Sequence, residues 1–115
     1  MVNLVRQTNV KINPTIYTIT VIDLYTDKVL GLRRTPAIFT DLNKAIYAVR
    51  NNIDNLSDGI MYQYAVIEES ELNVVRPNIE KQGMRLWFKY NSAIDEFEQS
   101  SPPPQLRMQS GFGIG

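Results

Sequence analysis

The chain contains no histidine and no cysteine. Without histidine the commonest general base and the commonest metal ligand are both missing, which excludes a Ser-His-Asp triad and any histidine-containing metal site. Without cysteine there are no thiolate zinc sites, thiol nucleophiles, redox pairs or disulfides, an economy that fits a reducing compartment. Net charge is also absent: twelve Lys and Arg balance twelve Asp and Glu. No global field therefore draws the chain to a nucleic-acid polymer or an anionic membrane. No stretch approaches the ~18 uninterrupted apolar residues of a membrane span. The opening Met1-Val2-Asn3-Leu4-Val5-Arg6 lacks the basic-then-apolar run of a signal peptide, so a cytoplasmic location is expected. Gly111, Gly113 and Gly115 are closely spaced, but without a following helix they do not make a phosphate-cradling loop.

What remains is a chain of 115 residues, 43% hydrophobic, which suits one compact domain. A domain of this size buries proportionally little surface, and self-association is one way to compensate. Charge is unevenly placed: residues 1–50 carry seven Lys and Arg against three acids, whereas residues 51–100 carry four against nine. That polarity suits either self-complementary assembly or a local basic site; ordinary solvated surface charge explains most of it as well.

Residues 1–14 are polar, end in Asn13-Pro14 and are expected to make an N-terminal arm. The domain proper is expected over residues 15–100, with a Pro-rich spacer and a tail docking on a neighbouring protomer over residues 101–115. Residues 15–25 are dense in β-branched and aromatic types, apolar on both faces, and predict an inner strand. Thr26-Asp27-Lys28 makes a turn, Val29 to Arg34 a second strand, and Pro36 is expected to stop regular pairing. Thr40 or Asp41 can cap a helix whose apolar stripe is Leu42, Ala45, Ile46, Val49 and Ile53. Ser57-Asp58-Gly59 turns the chain. A third strand is predicted over residues 61–69, with Tyr62, Tyr64 and Val66 on one face. Arg76-Pro77 and Gln82-Gly83 bracket a loop. Met84 to Tyr90 is a fourth strand, with Leu86 and Phe88 opposite Arg85, Trp87 and Lys89. Asn91-Ser92-Ala93 turns into a last strand near Ile94 to Gln99. The order strand-strand-helix-strand-strand-strand predicts an α+β fold, an antiparallel sheet of four to five strands with one main helix on one face.

Carboxylates are grouped at Glu68-Glu69-Glu71 and at Asp95-Glu96-Glu98. Alternation along a strand sends neighbouring members to opposite faces, so a solvated edge is favoured over a cation site. Catalysis and a cofactor are not expected. Binding groups are better represented. Arg33-Arg34-Thr35 supplies two guanidinium forks and a hydroxyl suited to phosphate; the same residues also suit a charged sheet edge that discourages aggregation. Arg85-Leu86-Trp87-Phe88-Lys89-Tyr90-Asn91 sets three aromatics among two cations and ends in an amide, groups that stack on bases, neutralise phosphate and read polar edges. Trp87 and Phe88 point to opposite faces, so one of them is expected to fill the core. Arg107, Met108 and Gln109 in the tail either reach a partner's pocket or meet solvent.

Tyr17-Thr18-Ile19-Thr20-Val21, Leu32-Arg33-Arg34-Thr35-Pro36-Ala37-Ile38 and Tyr64-Ala65-Val66-Ile67-Glu68-Glu69 stand in an order and spacing shared with one known group, as do Trp87-Phe88-Lys89-Tyr90-Asn91 and the closing Gly111-Phe112-Gly113-Ile114-Gly115. From residue 16 onward the chain resembles the first-described family of phage Thoeris anti-defence proteins, the signal sponges. The resemblance implies a protein that acts in the cytoplasm of an infected bacterium. There it would bind glycocyclic ADP-ribose messengers without cleaving them. It also implies a homo-oligomer, a hexamer being favoured, with nucleotide pockets between protomers; some members hold cyclic trinucleotides of the CBASS immune system at a second site. Carried onto this chain, Phe88 and Asn91 would meet base and ribose, supported by Trp87 and Arg85. Arg34 and Thr35, joined by Arg107 of a symmetry mate and flanked by Met108 and Gln109, would meet phosphates, with Arg33 competing for Arg34's role. Two other functional classes remain: an interaction module that inhibits a host protein, and, disfavoured by the missing histidine, a cyclic nucleotide phosphodiesterase.

Overall fold

The computed structural model describes residues 14–24, 30–71 and 84–103. The turn at Thr26-Asp27-Lys28, the bracketed loop, most of the N-terminal arm, and the tail with Arg107, Met108 and Gln109 lie outside the described residues. Five strands, β1 (Thr15–Leu24), β2 (Leu30–Phe39), β3 (Tyr64–Glu71), β4 (Arg85–Asn91) and β5 (Glu96–Ser100), form a sheet in the order β2-β1-β3-β4-β5. Every pairing is antiparallel. Helix α1 (Leu42–Arg50) and a short 3-10 turn (Ile53–Asn55) fall between β2 and β3, which is the α+β order that the sequence predicts.

The run of β-branched residues in β1 has a clear cause in its position, between β2 and β3. Ile19 and Val21 are fully buried toward the helix, and Ile16, Thr18, Thr20 and Ile22 are buried on the opposite face. A strand whose residues are buried on both faces cannot alternate apolar with charged residues. The helix-side core gathers Ile19, Val21, Ala45, Ala48, Val49, Leu56, Tyr62, Ala65, Ile67, Phe88 and Phe97. At roughly 25 cal/mol per Å² of apolar area, burying these side chains is a large favourable contribution to the fold.

Asp41, rather than Thr40, caps α1. Its extended backbone (φ −122°) lets Oδ1 accept from the amides of Asn43 at 2.8 Å and Lys44 at 3.3 Å. The stripe Leu42, Ala45, Ile46 and Val49 packs on the sheet, but Ile53 does not continue it. The helix closes at Arg50, Asn52 turns left-handed at φ 49°, and Ile53 is left 40% exposed. Asp41→Ala is expected to cost about 1 kcal/mol, the usual worth of an N-cap, read as a lower urea midpoint with an unchanged denaturant slope.

Strand boundaries differ from the sequence pattern as well. β2 runs through Pro36 to Phe39 instead of stopping. The register passes from Ile19↔Ala37 to Val21↔Arg34, so Thr35 and Pro36 together face Thr20 in a bulge. Proline is tolerated there because β2 is an edge strand with no ladder bond to lose on its outer side. β3 begins at Tyr64; Tyr62 precedes it and enters the helix-side core, apart from Tyr64 and Val66. β5 begins at Glu96, after a turn that leaves Ile94 50% exposed.

Candidate ligand-binding face

Strand alternation sorts the candidate residues by face, and the registers locate them. On the sheet face away from α1, one row across the strands reads Arg33, Ile22, Tyr64, Lys89, Glu98. The next row is Thr20, Val66, Trp87, Ser100, with Thr35 bound to Thr20 through their hydroxyls at 2.9 Å. A third row is Ile38, Thr18, Glu68, Arg85. Asn91, two residues beyond Lys89, belongs to the same face, and its side-chain amide donates to Glu98 at 3.3 Å. Arg33, Thr35, Arg85, Trp87 and Asn91 thus share one face.

Arg34 and Phe88 lie on the other. Arg34 pairs with Val21, and its guanidinium carbon stands 5.9 Å from the centre of the Tyr62 ring. Phe88 is 1% exposed within the helix-side core. Trp87, in contrast, packs with Ile22, Val66 and Tyr64 and is 6% exposed. The expectation that one of the two aromatics fills the core is therefore corrected: both are buried, in separate clusters. Trp87 is enclosed by side chains of its own sheet, Ile22, Val66 and Tyr64, on a face that also carries exposed Lys89.

Electrostatics divides the face as well. Arg85 donates from Nε to Glu68 Oε2 at 3.1 Å, and Glu68 is 1% exposed. This guanidinium is committed to a buried carboxylate and contributes little free positive potential. Arg33 and Lys89 are exposed, and the Lys89 ammonium sits 5.9 Å from the Tyr64 ring centre. Such a contact fixes a flexible lysine without neutralising it. Tyr64 and Lys89 are the pair that the sequence pattern does not single out. Their partnership needs the β3–β4 register, and nothing in the linear order of Tyr64 and Lys89 carries it.

The grouped carboxylates are dispersed. Glu68 faces Arg85, whereas Glu69 on the helix side accepts from Tyr17 at 3.4 Å and from the Met84 amide at 3.1 Å. Burial first, and then the charge of Glu69, push the Tyr17 phenol above its ordinary range. Among the described residues no three carboxylates converge in a way that would hold a metal ion.

A second polar constellation ties the end of α1 to the β4–β5 turn. Asn52 Nδ2 donates to Ser57 Oγ and to Asp95 Oδ1, both at 2.9 Å, and its Oδ1 accepts from the Ser57 amide at 2.8 Å. Tyr90 donates its hydroxyl to the same Asp95 oxygen. That hydrogen bond, followed by burial, raises the Tyr90 phenol above its usual value. Asn52, Asp54, Asn55, Asp58 and Asp95 all take positive φ, a conformation that Asn and Asp tolerate better than other residues bearing a Cβ. The constellation is a brace: it satisfies buried polar groups and fixes the end of the sheet that carries Asn91.

No helix among the described residues is long and apolar enough to cross a membrane. The chain matches no protein-family model, no curated protein and no solved structure.

Proposed function

We propose that this protein is a non-catalytic sponge that captures an anionic, nucleotide-like immune messenger on the helix-free face of its sheet. The observation that carries the reading is the common placement of exposed Arg33, Thr35 and Lys89 and half-buried Asn91 on that face, around the buried Trp87 and the ion-paired Arg85. Phosphate needs guanidinium and ammonium donors, and a nucleoside needs flat apolar surface with amide or hydroxyl groups at its rim. These groups stand within a few strand spacings of one another. The resemblance to the Thoeris sponges supplies the ligand class, glycocyclic ADP-ribose, with cyclic trinucleotides as a second class. It also supplies the assembly, a homo-oligomer in the cytoplasm of the infected host. On this reading Arg34, on the other face, serves a ligand shared with a second protomer, and the tail residues Arg107, Met108 and Gln109 complete the pocket from a symmetry mate.

Sequestration demands tight binding and no turnover, and a chain without histidine suits that demand. The expected result is that protein loaded with glycocyclic ADP-ribose, washed and then heated, releases the messenger with its mass and chromatographic mobility unchanged. Release of a hydrolysed product would overturn the reading in favour of a phosphodiesterase. The alternative of an interaction module draws on exposed apolar side chains at one end of the sheet, Ile60 at 72%, Ile94 at 50% and Met61 at 43%. Thermal stabilisation by a host protein, and by none of the nucleotides, would favour that alternative.

A further inference from the structure

We infer that Arg33 and Lys89 form a two-cation clamp for a diphosphate group, with Tyr64 as the positioning residue that holds Lys89 in place. The inference rests on the helix-free face being the ligand face, and it deepens that reading by naming the anion's subsite. Arg33 on β2 and Lys89 on β4 occupy one row, separated by Ile22 and Tyr64. Three strand spacings put their backbones about 14 Å apart, a gap that two long side chains reaching inward can close over a small bridging anion. Between them the floor is apolar: Ile22 is fully buried and packs with Tyr64, Val66 and Trp87. A floor of low polarizability strengthens charge pairing directly above it.

The two cations differ in a useful way. Arg33 is exposed, and among the described residues its side chain takes part in no ion pair, so its fork is available to two oxygens of one phosphate. Lys89, tethered over the Tyr64 ring at 5.9 Å, offers a point charge to the next phosphate. A single phosphate is too small to reward both ends of the row, whereas a diphosphate spans more of it. Glu98 faces Lys89 across β4 and β5 and accepts from Asn91 at 3.3 Å. Its negative charge lowers the potential at the Lys89 end and so opposes the clamp.

The test is calorimetric titration at low ionic strength, using inorganic pyrophosphate and glycocyclic ADP-ribose as separate probes. Wild type is expected to bind both. Arg33→Gln and Lys89→Gln should each weaken binding about tenfold, as loss of one charge-assisted contact implies, and should flatten the salt dependence. Tyr64→Leu should weaken both probes while Tyr64→Phe retains them, and Glu98→Gln should tighten both. Arg50→Gln on the helix serves as the control and should change neither. Messenger binding that Lys89→Gln and Arg33→Gln leave intact, in variants with wild-type circular dichroism, overturns the clamp and leaves the sponge reading standing. Pyrophosphate binding that depends on both cations, without any messenger binding, supports the clamp and overturns the sponge. A wild-type protein that binds neither probe overturns both.

Discussion

Arg85→Met is expected to lower the stability of the domain by about 3 kcal/mol, the lower end of what breaking a buried ion pair costs. The reason lies with the partner. Glu68 is 1% exposed, Arg85 is 21% exposed, and they meet at 3.1 Å. Removing the guanidinium takes away a principal counter-charge of a carboxylate that has almost no access to water and leaves a buried charge uncompensated. Urea denaturation reads the change directly, and in a domain of this size it corresponds to a fall in Tm of about 10 °C or more. The double substitution Glu68→Gln with Arg85→Met should recover part of the loss, because no buried charge remains to be stranded. If Arg85→Met proves as stable as wild type, the pair is not a structural element. Arg85 would then be a stronger candidate for a ligand contact than for a structural one. As a candidate ligand contact, Arg85 can be judged only in protein shown to be folded.

The second large effect is at Phe88. The ring is 1% exposed in the helix-side core, in register with Ala65 on β3 and near the layer that holds Phe97. Truncation to alanine removes a buried aromatic and leaves a cavity, a cost of about 3–5 kcal/mol. Phe88→Ala should therefore unfold at a markedly lower urea concentration and lose ligand binding only as a consequence. Phe88→Leu keeps most of the volume and separates the two roles. It should remain folded, and it should bind glycocyclic ADP-ribose as wild type does if the ring serves packing alone. Weakened binding by a well-folded Phe88→Leu would return Phe88 to the ligand site.

The contrast between these two positions explains what the sequence discloses and what it withholds. Apolar density in Thr15–Leu24 and helical spacing from Leu42 to Val49 are local signals, and both elements form where they predict. The helix end was less legible. Ile53 fits the stripe by count, yet Asn52 adopts a left-handed backbone fixed by its bonds to Ser57 and to Asp95, 43 residues away. Pro36 misleads for a similar reason. Its effect depends on β2 lying at an edge, and edge status belongs to the whole sheet.

The candidate site divides along the same line. The alternation of Arg85, Trp87 and Lys89 against Leu86 and Phe88 is a property of one strand and is visible in the sequence. Which of these side chains meets Glu68, Tyr64 or Thr20 depends on pairings between strands far apart in the chain. That Trp87 and Phe88 point to opposite faces is legible from one strand, whereas the cluster each of them enters is set by residues of other strands. The Tyr64–Lys89 pair was unreadable for that same reason.

The bulge at Thr35 and Pro36 carries a consequence for how this surface can change over generations. On its Arg34 side, odd-numbered residues such as Arg33 point away from the helix; beyond it, the odd-numbered Ala37 and Phe39 point toward the helix. The parity of β2 inverts at that spot, which lets the strand present cations at one end and seal the core at the other. Losing one residue there would restore unbroken two-residue periodicity with Arg33 still pointing away from the helix and Arg34, Ala37 and Phe39 still pointing toward it. A single-codon deletion at the bulge is thus expected to leave both arginines on their present faces and the helix-side core intact, so this is a spot where chain length can vary without rewriting the surface.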